Sequence, residues 1–129
     1  MKRRELTRKI SKHWPNLVQY IYASDSEYAD GIKASDVHKY WHRWKYGFLG
    51  FGGAPLYHEE GQDCDDLVRD FIVRFRAKYR EDNKALPIFF TGSDGHAYAS
   101  YLNESGEINT IDLRDGKLYP IEAFVLEML

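Results

Sequence analysis

A single cysteine, Cys64, stands in the 129 residues, so no internal disulfide can form and no Cys-pair metal motif exists. That usage agrees with a reducing compartment. Long apolar runs are missing as well. None approaches the roughly 18 residues of a membrane span, and the N-terminus "MKRRELTRKI" lacks the apolar centre of a signal peptide. These absences lead to the expectation of a soluble cytoplasmic protein with no membrane partner. A strong charge of one sign is lacking too: the formal net charge is −2 and the pI about 6.2, unlike a typical nucleic-acid binder. There is no internal repeat and no low-complexity tract.

What is present is a globular composition, 43% hydrophobic and 29% charged, in a length that suits one core and not two. The near-zero net charge hides a gradient. Residues 1–46 hold ten Lys/Arg against five Asp/Glu, residues 47–83 five against eight, and residues 84–129 three against seven. Either the two ends attract each other in the fold, or one of them forms a charged binding face.

The periodicity predicts α+β: N-terminal helices packed on one face of a C-terminal antiparallel meander of about four strands. Leu6, Ile10, Trp14, Leu17 and Ile21 recur at steps of four or three, with a break expected at Pro15. A second helix is predicted from Ser35 as N-cap, burying Val37, Tyr40, Trp41, Trp44 and Phe48. A third is predicted from Asp63 to Tyr79, with Leu67, Phe71, Ile72, Phe75 and Tyr79 on one face and its charges ordered to suit the helix dipole. After Pro87 the period changes. "PIFFTG", "HAYASYL", "EINTIDL" and "KLYPI" read as strands separated by turns at Gly106 and Gly116. The reading is one domain over 1–129: mainly helical over 1–80, hairpins over 86–121, and a short closing helix over 121–129.

The glycine-rich stretch "YGFLGFGGAP", Tyr46 to Pro55, resembles a phosphate loop only in composition. Such a loop needs a strand before it and a helix N-terminus after it. Here a helix precedes, and Gly47, Gly50, Gly52 and Gly53 fit neither G-x-G-x-x-G nor the lysine-bearing loop. Gly47 reads as a helix-ending residue and Gly52-Gly53 as a bend bringing Phe48, Leu49, Phe51 and Leu56 onto the core. His38 and His42 stand four apart on a helix, but residue 39 is Lys where a zinc protease has Glu, and only His58 and Cys64 are candidates to complete a site. "GSDGH" holds Ser93, Asp94 and His96, read as a turn and not a relay. The carboxylates of the hairpins show no acid–base spacing. The protein is therefore read as a non-enzyme without metal or cofactor.

Two binding readings remain. "HKYWHRWKY", His38 to Tyr46, interleaves basic and aromatic residues as single-strand binding surfaces do, and with Arg3, Arg4, Arg8 and Lys9 it would form a basic face for nucleic acid. The alternative is an acidic hairpin face. Asp94, Glu104, Glu107, Asp112 and Asp115 fall at or beside turns, and Tyr98 and Tyr101 lie on the strand between them, where alternation lets only one reach the surface. Acids around an aromatic anchor would steer and then hold a basic protein.

"LPIFFTGSDGHAYASYLNESGEINTIDLRDGKLYPIEAF", Leu86 to Phe124, resembles the C-terminal half of the SUKH superfamily: an apolar strand, a "GSDG"-type turn, hairpin strands, a "GKLY" strand and a short helix. The segment "FLGFGG" is similar in kind to its Gly-aromatic stretch. The resemblance implies a small cytosolic α+β immunity protein that binds and blocks a bacterial toxin, a nuclease being one basic target. A phage or plasmid inhibitor of a host protein is a related form, and a nucleic-acid-binding regulator is the competing one.

Overall fold

The computed structural model describes residues 1–21, 27–47, 64–80 and 83–128. The elements run α1 (Arg3–His13), β1 (Gln19–Ile21), α2 (Ala34–Tyr46), α3 (Cys64–Lys78), β2 (Ile88–Ser93), β3 (His96–Leu102), β4 (Ile108–Ile111) and β5 (Val125–Glu127). Helices and a mostly antiparallel five-stranded sheet make the chain α+β, as the change of period at Pro87 implies. No helix among the described residues is long and apolar enough to cross a membrane. Of the glycine-rich stretch only Tyr46 and Gly47 are described; Phe48 to Pro55, Leu56, His58 and the side chain of Cys64 lie outside the described residues.

Helix α1 buries Leu6 and Ile10 and stops at His13. The residue before a proline is pushed out of the helical region, and Trp14, ahead of Pro15, has φ −125° and ψ 80°. The apolar stripe therefore does not resume as helix after Pro15. The chain goes extended instead and forms β1. Helix α2 buries Val37, Trp41 and Trp44 as its spacing predicts. It ends at Gly47, whose φ of 79° is a conformation costly for other residues. Helix α3 buries Leu67, Phe71, Ile72 and Phe75, and Phe71, Phe75 and Tyr79 stack along it with Tyr40 of α2 beside all three.

The sheet order is β1-β5-β2-β3-β4. The meander β2-β3-β4 is antiparallel as expected. Two expected elements differ. "KLYPI" is not a regular strand: it touches β4 through a single bridge, Ile111 to Leu118, because Pro120 has no N–H to continue the ladder. The short helix expected over 121–129 does not form in residues 121–128, the part that is described. Val125–Glu127 is instead strand β5, antiparallel to β2 and parallel to β1. A helix of a few residues at a chain end is marginal, whereas a slot between two strands pairs the backbone on both edges. Leu126 then points inward and is fully buried.

Alternation along the strands sorts the core into two halves. Ile88, Phe90, Ala97, Ala99, Tyr101 and Ile111 pack with α2 and α3. Phe89, Leu102 and Leu126 pack with Leu6, Ile10 and Trp14 on the side of α1. The expected helical layer on one face thus holds for α2 and α3, while α1 takes the other face. It does so because β1 and β5 leave Trp14 beside the C-terminal segment, where its Nε1–H donates to the Ile121 carbonyl at 2.9 Å. The other two tryptophans tie elements together similarly: Trp41 donates to the Leu113 carbonyl at 2.8 Å and Trp44 to Asp70 at 2.8 Å.

Candidate partner-binding surface

The hairpin acids do not gather in one cluster. Successive turns of a meander lie at opposite ends of the sheet, so Asp94 and Asp115 stand at one end and Glu104 and Glu107 at the other. The seven residues of β3 set Asp94 roughly 20 Å from Glu104, and the four residues of β4 set the turn of Asp115 roughly 13 Å from Glu107. Asp94 is exposed in the two-residue turn between β2 and β3, with φ 44° there and 79° at Gly95, the turn geometry that Asp-Gly favours. Ser93 and His96 face each other across that turn, on two strands rather than along one. Ser93 Oγ nonetheless donates to the Glu122 carbonyl at 2.6 Å, so it serves as a structural hydroxyl and the turn reading stands.

Of the two tyrosines on β3, Tyr98 is half-buried and Tyr101 lies in the core at 1% exposure. Tyr101 is therefore withdrawn as a partner contact. Its hydroxyl accepts from Asn109 at 3.2 Å, and burial pushes its pKa up. Asp112 is withdrawn for the same reason: it is 6% exposed, receives the Arg114 backbone N–H at 2.9 Å and pairs with the Arg114 guanidinium at 2.7 Å.

Glu104 is exposed but has a structural task. Helix α2 has Lys33 at its N-cap with no side-chain bond, and Ser35 does not cap it. The carboxylate of Glu104 instead accepts the N–H of Ala34 at 2.9 Å, at the positive end of the helix dipole. It is brought there because residues 31–33 run directly against the 102–104 backbone. Ile32 N–H donates to the Leu102 carbonyl at 2.8 Å, and a Cβ on Gly31 would sit 2.4 Å from the Asn103 oxygen. Glu104→Lys is therefore expected to cost about 1–2 kcal/mol, the loss of a helix cap with an added unfavourable charge. Glu107→Lys, whose side chain caps nothing, is expected to stay within about 0.5 kcal/mol of the parent. Equal urea midpoints for the two variants would refute the assignment.

The residues that form an exposed apolar surface were not legible as such. Leu118 is 53% exposed and Tyr119 39%, adjacent residues that a regular strand would send to opposite faces. Both are outward although the segment is still bridged to β4 here, where the Tyr119 N–H donates to the Thr110 carbonyl at 2.9 Å, because this short pairing ends at Pro120. With His13, Ile108, Pro120 and Ile121 they line a groove of about 330 Å³. At His13 and Ile108 it meets a second groove of about 440 Å³ that includes Lys9, Lys12 and Glu107. Burial lowers the pKa of His13 at this junction.

Asp115 fixes the tyrosine. Its carboxylate accepts the Tyr119 hydroxyl and the Lys117 N–H. The hydroxyl holds the Asp115 carboxyl below its ordinary range, and the carboxylate raises the Tyr119 pKa in turn. Both directions keep the proton on tyrosine at neutral pH. The bond to Asp115 therefore restricts the rotamer of the ring.

Tyr40, Trp41 and Trp44 are turned inward, so "HKYWHRWKY" offers a partner its cations and imidazoles and not its indoles. His38 and His42 are both exposed, and among the described residues no group of three His, Cys, Asp or Glu is placed to hold a metal. Neither a family model, nor a curated protein, nor a solved structure matches the chain.

Proposed function

We propose that the protein is a cytoplasmic binding module that neutralises a protein partner by covering it, in its most specific form an immunity protein against a bacterial toxin. The observation that carries this reading is the exposed Leu118–Tyr119 strip with its ring pinned by Asp115. An aromatic anchor of restricted motion, seated beside an apolar groove and rimmed by carboxylates, has the anatomy of an interface hot spot. Asp115, bonded to the ring, and the exposed Glu122, next to Ile121 of the groove, supply an acidic side to the rim, which favours a basic partner and acts mainly on the association rate. Asp94 and half-buried Tyr98 belong to the neighbouring surface. The resemblance of residues 86–124 to the SUKH superfamily supports the same reading.

The test is protection. Cells expressing this chain are expected to survive production of the toxin domain encoded directly upstream. Tyr119→Ala combined with Leu118→Ser is expected to weaken binding of that domain about 100-fold, the scale of two hot-spot truncations, with an unchanged melting temperature. Absence of protection would sink the reading. Protection that survives the double variant would move the interface elsewhere.

A further inference from the structure

Helix α1 carries more cations than its own stability explains. Arg3 and Arg4 sit in its first turn, at the positive end of the dipole, where a cation is unfavourable. Arg4, Arg8 and Lys12 follow one another at spacings of four, so each meets a like charge on the adjacent turn, which costs a few tenths of a kcal/mol per pair. Glu5 in the first turn and Lys12 in the last do suit the dipole, as the charges of α3 do, so Arg3, Arg4 and Arg8 are the ones left over.

The direction of the row is set by the core. Leu6 and Ile10 are fully buried, and at 3.6 residues per turn the opposite side of the helix is the line through Arg4, Arg8 and Lys12. All three are exposed. Lys2 is bound to Glu27, and Lys9 leans toward the turn at Gly106, its Nζ 4.0 Å from where a Cβ there would lie. Among the described residues Arg4, Arg8, Lys9 and Lys12 make no hydrogen bond or ion pair. Glu5 stands on the same helix and Glu107 shares a groove with Lys9 and Lys12; two acids leave the row cationic.

We infer that the outward row Arg4–Arg8–Lys12 is a second binding surface, one that docks the phosphate backbone of duplex nucleic acid independently of sequence. The occupant follows from the chemistry of the row. The outward line carries no aromatic ring on which an unpaired base could stack, so it lacks what single-strand sites add to their cations. What it offers is a straight series of cations on a rigid helix, suited to a regular and stiff line of phosphates. This inference does not depend on the protein partner proposed above, because Arg4 and Arg8 line neither groove beside the Leu118–Tyr119 strip, and Lys12 alone borders the second of them.

The experiment is fluorescence anisotropy with a labelled 20-base-pair duplex across a salt series. Binding is expected to weaken linearly on a log–log plot. Replacing Arg4, Arg8 and Lys12 together by Ala is expected to lower the slope by about 2.7, three phosphate contacts at about 0.9 each. The Lys39→Ala/Lys78→Ala variant, which removes exposed cations elsewhere, is expected to leave the slope unchanged, and circular dichroism checks that every variant is folded. No duplex binding at low salt, or a slope unaltered by the triple variant, would overturn the inference. So would tighter binding of a single-stranded oligonucleotide, or of poly-L-glutamate, the last result assigning the row to an acidic protein surface.

Discussion

Gly116→Ala is expected to destabilise the protein by about 3 kcal/mol, and Gly95→Ala by only about 1. Both glycines have positive φ, 71° and 79°, and an alanine pays roughly the same 1 kcal/mol for that conformation at either place. Their surroundings differ. A Cβ at Gly95 meets nothing within 4 Å, while one at Gly116 would lie 2.5 Å from two ring carbons of Trp41. The indole has no room to yield, since it is 5% exposed and tied to the Leu113 carbonyl. Overpacking of this kind adds about 1–3 kcal/mol. The difference between the two urea midpoints isolates the packing part, and equal losses would mean that the turn is not seated on Trp41. The same turn carries Asp115 and leads into Tyr119, so the Gly116 variant is also expected to bind the proposed protein partner less tightly.

The second large effect is expected in a chain of buried hydroxyls. Ser100 and Thr110 lie opposite each other on β3 and β4, and Thr91 is diagonal to Ser100 on β2, at 0%, 4% and 0% exposure. Thr91 Oγ1 donates to the Tyr98 carbonyl at 3.0 Å, and the hydroxyls stand 2.9 Å and 2.8 Å apart. Each hydroxyl has one proton. With that of Thr91 committed, Ser100 must donate to Thr91 and Thr110 to Ser100, so the chain has a direction. Ser100→Ala therefore leaves the buried Thr110 proton without its acceptor and removes the proton that Thr91 accepts, at an expected cost of about 3 kcal/mol. Thr110→Val removes only the first donor and is expected to cost about 1 kcal/mol. Denaturant unfolding of the two variants checks the order, and a larger loss for Thr110→Val would reverse the assigned direction.

Much of the secondary structure was legible locally. Helices α2 and α3 could be read from apolar residues at helical spacing, because one buried stripe per helix is the signature of packing on a single surface. The turns at Asp94-Gly95, Gly106 and Gly116 were legible from residues that tolerate positive φ. Only the burial of one of Tyr98 and Tyr101 followed from alternation; which of the two is buried depended on the face that α2 and α3 cover.

Other features depended on distant partners. The last residues, "VLEML", have no local preference strong enough to decide their state; the free slot between β1 and β2 makes Val125–Glu127 a strand. Glu104 and Glu107 look alike in sequence, yet only Glu104 meets the N–H of Ala34, seventy positions away. The five hairpin acids seemed one cluster because they are close in sequence, and the meander separates them because each strand reverses direction. Leu118 and Tyr119 became a candidate anchor only where Pro120 ended the pairing and Asp115 held the ring. Composition, periodicity and turn chemistry determined which elements form and which residues each element buries, since those are properties of neighbours along the chain. Strand order, the placement of α1 on the second face and the assembly of any surface were decided by the tertiary structure, since each depends on which unpaired edge or uncovered face a distant segment can satisfy.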